Sequence, residues 1–518
     1  MQRSSGHNPS WPHTASSGPA GTAAGPFFFS DRRERNFQLA RSCHCGHVPD
    51  GICPDGRRFP IALVIDEDGW SPDKLVWSAA ANKYHWCSRL WNTGLSSLND
   101  FQYYSNFSSD FVVLFLVIPH RFTNTIKGIG LKIGIPKESA PGETRVALVP
   151  SLVSALTREK HEVFIEAGAG IASSFPDAEY EQAGARIIPD TISLYQAVQT
   201  ILKVQPPQFH AGLQKDEAEL LQDGSTYIGF LAPVSNPDIV NIFVHRRITS
   251  FAMEYVPRIS RAQSMDALSS MATVAGYKSV LLAASSLQKL FPLLMTAAGT
   301  LSPAIVLVLG AGVAGLQAIA TARRLGAKVE AFDPRPAVRD QVRSLGAAFI
   351  DMPIIEPTET AGGYAREQSA EFLKTEQDVI SKRLPIVDVV ISTAQVFGKR
   401  PPVLITTEML KLMRPGSVIV DLAAEQGGNC ELTQPGKTVE HSGVAILGPV
   451  NLPASLPTHA SQLYAKNISN LVIHLYQKGA ARPDPSDEIV KGCMITDNGG
   501  IVNDAVRQLL VEKGEALV

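Results

Sequence analysis

The chain has 518 residues, 45% of them hydrophobic and 19% charged, a composition typical of a globular protein with two or three domains. Acidic and basic residues nearly balance, with a net charge of −2, which excludes the electrostatic footprint of a nucleic-acid-binding protein. Only Cys430 and Cys493 lie beyond residue 130, which argues against a disulfide framework and favours a reducing compartment.

Residues 1–130 form a first block that is rich in Ser, Gly, Pro, Arg, His and aromatic residues and lacks a sustained helical or strand period. We therefore expect an N-terminal extension that is largely disordered. Its arginines and scarce acids fit a transit peptide, or the block is an extension without a role. One cluster could in principle bind a metal, but its spacing matches no common zinc frame, so no metal site is predicted. Its members are Cys43, His44, Cys45, His47 and Cys53.

From Leu131 onward, short apolar runs alternate with helical segments, the pattern of an α/β fold. The runs LKIGIP, EVFIEAG, ARIIP, TILKVQ, STYIGFL and ITSFAMEYV predict the strands of a first unit, and VDVVIST, GSVIVDLA and VAILG predict later strands of a second. A long helical segment from Ser264 lies between them. We expect two Rossmann-like doubly wound domains with a cleft between them. The first would be built from residues 131–262 and 453–518, and the second from residues 263–452.

Residues 290–322 carry no charge and on length alone could cross a bilayer. Pro292, Gly299 and Pro303 interrupt the run, and a buried parallel strand explains the apolar character of its later residues. Residues 111–118 are apolar but too few to span a membrane. We expect a soluble chain.

The second unit opens with a glycine-rich turn, G-x-G-x-x-G, between an apolar strand and a helix. Gly310 permits the tight turn, Gly312 lets the backbone approach a pyrophosphate, and Gly315 lets the helix pack closely on the strand. The unpaired N–H groups at the helix N-terminus favour the phosphates. Asp333 ends the next strand, where it can accept hydrogen bonds from ribose hydroxyls, and this favours NAD over NADP.

Arg335 is the ambiguous residue of this motif. It could meet the 2′-phosphate of NADP, but the Asp333 carboxylate would repel that phosphate, so we interpret Arg335 as a wall of the adenosine pocket. The motif alone is also compatible with an ordinary glycine turn. Strand, glycines, helix and terminal acid in register favour the nucleotide site.

A polar loop, PRISRAQSMDALSS, leads into the long helix. Asp266 and Ser269 lie three residues apart on one helical face, with Gln263 just before them, so three hydrogen-bonding groups can converge on one ligand. The same residues are compatible with a helix N-terminus capped by Ser264 and flanked by solvated arginines. The residues themselves leave both interpretations open.

The chain from Leu131 resembles one family, the soluble NAD(H)-binding component, domain I, of proton-translocating nicotinamide nucleotide transhydrogenase, a relative of alanine dehydrogenase. The resemblance covers about three quarters of the chain. PRISRAQSMDALSS is its most specific motif. The other matching runs are IGIPKE, ETRVALVP, GAGVAGLQA, FDPRP, GGYA, GSVIVDLAAEQGGNC and LPTHASQLYAKN.

The resemblance implies that Arg258, Gln263, Asp266 and Ser269 surround the nicotinamide and its ribose, with Gln263 also reaching a nucleotide on another subunit. Tyr364 would lie on a mobile loop that closes over the nucleotide, although by itself it is also compatible with an ordinary exposed tyrosine. These five residues are the catalytic candidates. The cofactor-binding candidates are Arg258, Ile259, Ser260, Gln263, Gly310, Gly312, Val313, Gly315, Asp333, Pro334, Arg335, Gly363 and Gln395, the last at a position that is usually apolar in the family.

Alanine dehydrogenase is the alternative within the same superfamily. Arg145 and Lys203 match its substrate-binding arginine and lysine, but its catalytic histidine would fall at Ala232. Oxidising an amino acid requires a group that accepts a proton, which alanine cannot do, whereas hydride passage between two nicotinamides moves no proton at the reacting carbons. A non-catalytic NAD-binding regulatory module is the alternative from a different class.

The resemblance therefore implies a subunit that binds NAD(H) and passes hydride directly to or from NADP(H) bound by a partner subunit, coupled to proton movement across a membrane. The implied partners are the membrane and NADP(H)-binding subunits and a second copy of the chain in a homodimer. The chain ends at Val518 without membrane helices, so we expect the proton channel on separate subunits. We expect a peripheral position on the cytoplasmic side of the inner or plasma membrane, held there only through partners.

Overall fold

The computed structural model describes residues 130–352, 369–396, 400–477 and 480–513, together with three strands nearer the N-terminus. The chain divides into two compact units, Met1–Asn124 and Thr125–Val518. The first unit contains strands β1 (Val76–Ala79), β2 (Gln102–Ser108) and β3 (Phe111–Val117), which form an antiparallel sheet in the order β1-β3-β2.

The sequence pattern did not predict these three strands. β3 has the sequence FVVLFLV, which is apolar throughout and therefore lacks the period-2 alternation that marks a half-buried strand. The candidate metal cluster of Cys43 to Cys53 lies outside the described residues.

The second unit begins with an alternating series of strands and helices. Its first elements are β4 (Lys132–Ile135), α1 (Pro150–Arg158), β5 (Glu162–Glu166), α2 (Asp177–Gln182), β6 (Arg186–Ile188), α3 (Thr191–Ala197), β7 (Thr200–Leu202), β8 (Phe209–His210), β9 (Lys215–Asp216), α4 (Glu217–Leu220), β10 (Thr226–Gly229), α5 (Pro237–His245) and β11 (Thr249–Ala252).

A long helix separates this series from the next. The following elements are α6 (Ala267–Ser286), β12 (Leu294–Thr296), β13 (Gly299–Leu301), β14 (Ile305–Leu309), α7 (Val313–Arg324), β15 (Lys328–Phe332), α8 (Arg339–Ser344), β16 (Ala348–Ile350), α9 (Ala370–Ser381), β17 (Val389–Ser392), α10 (Thr407–Leu410), β18 (Val418–Asp421), β19 (Thr438–His441) and β20 (Val444–Leu447). The chain continues through α11 (Pro457–Leu475), α12 (Glu488–Cys493), β21 (Met494–Asp497), β22 (Gly500–Ile501) and α13 (Asp504–Glu512).

Two large sheets organise these elements. The first has the order β22-β21-β11-β10-β7-β4-β5-β6, in which six parallel strands are extended by β21, antiparallel to β11, and by β22, antiparallel to β21. The last two strands of the second unit therefore join the sheet formed by its first strands. The second has the order β16-β15-β14-β17-β18-β20-β19, and only β19 runs antiparallel to its neighbour. The expected α/β fold with two doubly wound sheets is confirmed, and the precise domain limits stay a prediction.

The second sheet places a binding edge beside β14. The chain winds outward from β14 through β15 to β16, then crosses to the other side of β14 to form β17 and β18. This crossing makes the carboxyl edge next to β14 a topological switch point, which is where open parallel sheets bind ligands. Residues 290–322, considered above as a membrane span, instead fold as the β12–β13 hairpin, β14 and most of α7.

Helix α6 contributes to the hydrophobic cores of both large sheets. Met271 and Val274 pack in the core of the first sheet, while Val280 and Ala283 pack in the core of the second. A Cβ atom on Gly276 would lie 2.1 Å from a backbone oxygen of α7, so glycine is what allows these two helices to approach. Among the described helices, α6 is the one long and apolar enough to cross a membrane by length and composition.

Candidate nucleotide-binding site

The glycine turn follows β14 and opens α7, in the arrangement that the sequence predicted. Gly310 has φ +95°, and a Cβ there would lie 2.7 Å from Oγ1 of Thr393. A Cβ on Gly315 would lie 1.9 Å from the carbonyl oxygen of Gly310, so the helix packs directly on the turn. At Gly312 a Cβ would meet nothing within 4 Å, because the backbone there faces open space. The turn therefore leaves room for a bulky anion at the N-terminus of α7.

Asp333 lies directly after β15 and is only 4% exposed. Its Oδ2 accepts a hydrogen bond from the N–H of Ala311 at 2.7 Å, which ties the carboxylate to the glycine turn. Arg335 donates to both carboxylate oxygens, from Nε to Oδ1 and from Nη2 to Oδ2, each at 2.9 Å. The guanidinium of Arg335 is therefore paired with Asp333 in a two-pronged ion pair.

A cavity of about 370 Å³ lies at the carboxyl ends of β14, β15 and β17. Its wall includes many of the predicted cofactor-binding residues, namely Arg258, Gly310, Gly312, Val313, Asp333, Pro334, Arg335 and Gln395. Residues that the sequence did not single out complete it, namely Ala272, Ala314, Phe332, Leu373, Glu376, Thr393, Ala394, Val396, Arg400, Pro402 and Leu404. Gly315, which packs against the glycine turn, is not among the lining residues. The side-chain amide of Gln395 donates to the carbonyl of Leu422 at 3.0 Å.

The polar loop before α6 contributes Arg258 to the cavity. Asp266 caps α6, because its Oδ1 accepts from the N–H of Ser269 at 2.8 Å and its Oδ2 accepts from the Ser269 hydroxyl at 2.6 Å. The alternative cap at Ser264 is therefore wrong. Ser264 is exposed, and its carbonyl accepts hydrogen bonds from Asn467 and Asn470 of α11. These contacts attach the loop to the first domain.

Other predicted residues of this loop lie away from the cavity wall. Ile259, Ser260, Gln263, Asp266 and Ser269 are absent from the described lining. Gln263 is exposed to solvent within a 3₁₀ helix, Ser260–Met265, so it is accessible to another molecule. Arg261 is not simply solvated, because its Nη1 donates to Asp487 at 3.1 Å. Gly363 and Tyr364 lie outside the described residues.

Glu376 is the feature of the cavity that sequence reasoning missed. It lies on α9, is only 4% exposed and lines the cavity. Burial, followed by the nearby charge of Asp333, raises the pKa of Glu376 to about 8. A signal was present, since Glu376 occupies the position between Phe372 and Ile380 in the buried i, i+4, i+8 stripe of this helix.

The two cationic residues that match alanine dehydrogenase are buried in ion pairs within the first domain. Arg145 is 3% exposed, and its Nη2 lies 2.6 Å from Oε2 of Glu143. Lys203 is fully buried, with its Nζ 3.2 Å from Glu138 and 3.0 Å from Glu217. Both cations are thus neutralised by carboxylates of the chain itself.

Ala232, the position that matches the catalytic histidine of alanine dehydrogenase, adopts a left-handed conformation with φ +45°. The N–H groups of Leu231 and Ala232 donate to the carboxylate of Glu254, and the Asn236 amide donates to the carbonyls of the same two residues. These bonds hold the turn in its strained conformation. A methyl side chain at this position offers no atom that can accept a proton.

Comparison with known proteins agrees with this geometry. The family models for the alanine dehydrogenase/PNT N-terminal and C-terminal domains match residues 134–275 and 279–504. The first segment of NAD(P) transhydrogenase subunit alpha from Rhodospirillum rubrum is 46% identical over 380 residues, covering 73% of this chain and 99% of that protein. A solved transhydrogenase from Sinorhizobium meliloti superposes with a TM-score of 0.62 at 40% identity, covering 72% of this chain and 99% of its own.

Alanine dehydrogenases are more distant. The enzyme from Methanococcus maripaludis is 29% identical over 385 residues, covering 72% of this chain and 95% of that protein. The chain therefore belongs to the alanine dehydrogenase/PNT family, and within it is more similar to the transhydrogenase alpha subunit from Rhodospirillum rubrum than to this alanine dehydrogenase.

Proposed function

We propose that this protein is the NAD(H)-binding subunit of a proton-translocating NAD(P) transhydrogenase, passing hydride directly between NAD(H) and NADP(H) held on a partner subunit. The observation that carries the proposal is the glycine turn at the switch point of the second sheet, tied to Asp333 by the hydrogen bond from Ala311. The named relatives, which are transhydrogenases at 40% identity or more, support it.

The residues present fit a dinucleotide. The open face of Gly312 and the N-terminus of α7 would hold the diphosphate, and Asp333 would accept hydrogen bonds from the adenosine ribose. Arg258 and Ala272, which line the cavity from the loop before α6 and from α6 itself, would then hold the nicotinamide half. When bound, the nicotinamide supplies hydride from its C4 atom.

The pairing of Arg335 with Asp333 supports NAD(H) over NADP(H) as the nucleotide bound here. A 2′-phosphate at this position would need a cation that is available to it, but this guanidinium already pairs with both oxygens of the carboxylate. The same phosphate would also face the negative charge of Asp333. NADP(H) therefore belongs on the partner subunit in this proposal.

The task of this chain is to position one nicotinamide against another. Such a reaction needs the two C4 atoms at roughly 3–3.5 Å and the exclusion of water, rather than an acid or a base. Arg258 would act from the cavity wall, and the bonded pair Asp266 and Ser269 would fix the start of α6 beside it. Gln263 is exposed and so is available to the partner's nucleotide. Closure of the loop that carries Tyr364 stays a prediction.

The ion pairs of the first domain weigh against amino-acid oxidation. A substrate carboxylate would have to displace Glu143 from Arg145, or Glu138 and Glu217 from Lys203. Removing a partner from a buried ion pair leaves an uncompensated charge at a large energetic cost. Ala232 stands at the position of the proton acceptor of alanine dehydrogenase. The first domain therefore offers neither a free cation at the two matching positions to bind an amino-acid carboxylate nor a group at this position to accept its proton.

We also propose that the chain forms a homodimer and lies at the cytoplasmic face of the inner or plasma membrane through its membrane and NADP(H)-binding partner subunits. The β12–β13 hairpin supports a protein contact, because it presents several exposed apolar side chains. These are Leu293 (53% exposed), Leu294 (40%), Met295 (74%) and Leu301 (53%).

The decisive experiment mixes the full chain with the NADP(H)-binding domain of a transhydrogenase and follows the reduction of an NAD analogue by NADPH. The proposal expects turnover that requires both proteins. Binding of NADH without turnover would favour the regulatory module, and reduction of NAD by alanine without the second protein would favour alanine dehydrogenase. Either result would overturn the proposal.

A further inference from the structure

The carboxyl group of Glu376 faces the nucleotide cavity without a bonding partner. It is buried on α9, yet among the described residues no hydrogen bond or ion pair reaches its oxygen atoms. Leu373, one turn before it on the same helix, also lines the cavity. Because Glu376 lines the cavity, a ligand atom bound there can complete the hydrogen bonding of its carboxyl group.

The position of Glu376 relates it to one half of the dinucleotide. Asp333, whose charge acts on the Glu376 carboxyl, is the group expected at the adenosine ribose. Arg258 and Ala272, from the loop before α6 and from α6 itself, line the cavity on the nicotinamide side of that assignment. The base next to the Asp333-bound ribose is adenine, so adenine is the ligand group that Glu376 can reach.

Other charged groups line the same cavity from neighbouring elements. Arg335, after β15, is paired with Asp333, while Arg400, after β17, and Arg258, after β11, lie elsewhere on the wall. Below the cavity, Glu330 of β15 is paired with Arg383 at the end of α9. Burial and Asp333 are the influences that act on Glu376, and both favour its uncharged form.

We propose that Glu376 binds the adenine base as a neutral carboxylic acid, donating its O–H to a ring nitrogen and accepting a hydrogen bond from the N6 amino group. A protonated carboxyl offers one donor and one acceptor side by side. Adenine presents a matching pair, a ring-nitrogen acceptor beside its amino donor. No bond is made or broken, and the proton stays on the carboxyl. This inference rests on the proposed NAD(H) site.

The consequence is a binding affinity that depends on pH. With a pKa of about 8, Glu376 is mostly neutral at neutral pH and becomes ionised in alkaline solution. Ionisation removes the O–H donor and adds a negative charge beside Asp333, so both effects weaken binding. From the fraction of neutral carboxyl, the dissociation constant for NADH should rise about tenfold between about pH 7 and about pH 9.

The test measures NADH dissociation constants of the full chain at those two pH values for the unmodified protein, Glu376→Gln and Glu376→Leu. Glutamine keeps a donor and an acceptor at all pH values and can pair with adenine in the same way. The Glu376→Gln variant should therefore match the unmodified protein at the lower pH and lose the pH dependence. Glu376→Leu should bind about tenfold more weakly at the lower pH and also show no pH dependence.

Reduced nicotinamide mononucleotide, which lacks adenine, is the control ligand. Its affinity should be the same for all three proteins. A flat pH profile for NADH in the unmodified protein, or a profile that persists in Glu376→Gln, would overturn the inference. So would full affinity in Glu376→Leu, which would show that the residue only fills space. If the unmodified protein bound no NADH at either pH, the proposed nucleotide site itself would fail.

Discussion

Replacing Asp333 by asparagine removes the negative charge at the end of β15 while keeping the size of the side chain. The amide oxygen can still accept from Ala311, so the glycine turn should keep its shape. The charged hydrogen bonds that we propose to the ribose would be lost, and each such bond is of the order of 1–3 kcal/mol. We expect the NADH dissociation constant to rise by about 5- to 150-fold.

The same substitution releases Arg335 from its ion pair. The guanidinium then becomes available to a 2′-phosphate, and the carboxylate that repels that phosphate is gone. NADPH affinity should therefore hold or improve while NADH affinity falls. Fluorescence titration of both nucleotides with both proteins measures this change in preference.

Glu330→Gln is the matched control. Glu330 lies on the same strand, is also 4% exposed and also pairs with an arginine, Arg383, but it does not line the cavity. It should lower the free energy of unfolding without changing NADH affinity. Equal affinities of the unmodified protein for NADH and NADPH would refute the reasoning. Equal losses of NADH affinity in Asp333→Asn and Glu330→Gln would do the same.

Three further predictions concern other regions of the chain. Gln263→Asn shortens an exposed amide side chain by one methylene. NADH affinity should barely change, while single-turnover hydride transfer to a partner domain should slow by about an order of magnitude or more. Fast transfer with lost NADH binding would contradict a role of Gln263 between the two nucleotides. Gly276→Ala would ordinarily stabilise a helix by about 1 kcal/mol. Here the clash with α7 should instead lower the free energy of unfolding by about 1–3 kcal/mol, as urea denaturation would show. Burial alone would raise the pKa of Glu143, but hydrogen bonds and the charge of Arg145 lower it to about 2. The contribution of Glu143 to stability should therefore be lost as the pH falls from about 4.5 to about 2. Acid unfolding of Glu143→Gln should lack that component.

The sequence was sufficient to predict the main strands of the parallel sheets, because buried parallel strands are continuous apolar runs. VDVVIST and GSVIVDLA became β17 and β18, and LKIGIP became β4. Two-residue strands such as β8, β9 and β22 were not predicted, since two residues carry no measurable period. The glycine turn was predictable because its steric demands exclude other residue types, as the close approach at Gly315 shows.

The cavity was only partly predictable. Asp333 and Arg335 follow from the motif, but their mutual pairing depends on the turn at Pro334. Glu376 was missed because a charged residue on a helix usually belongs to a solvated face, whereas here it lies on the buried face of α9. Residues such as Leu373 and Arg400 reach the cavity from elements that sequence spacing alone does not bring together.

The cations that match an amino-acid site have a structural role in this chain. Burial alone would lower the pKa of Lys203, but Glu138 and Glu217 reverse this effect and raise it, so the ammonium stays charged and fixed. Arg145, in the loop between β4 and α1, donates to Asn451, which adopts a left-handed conformation between β20 of the second sheet and α11.

The side chain of Asn451 also donates to Glu143 at 3.0 Å, and its N–H donates to Glu425 after β18. Arg145 and Glu143 therefore connect the first sheet to the segment that leaves the second. This connection fixes the chain at the point where it passes from one sheet to the other. In the proposed hydride transfer, whose rate would depend on the distance between two nicotinamides, holding this crossing in place would help to position the nucleotide of this chain.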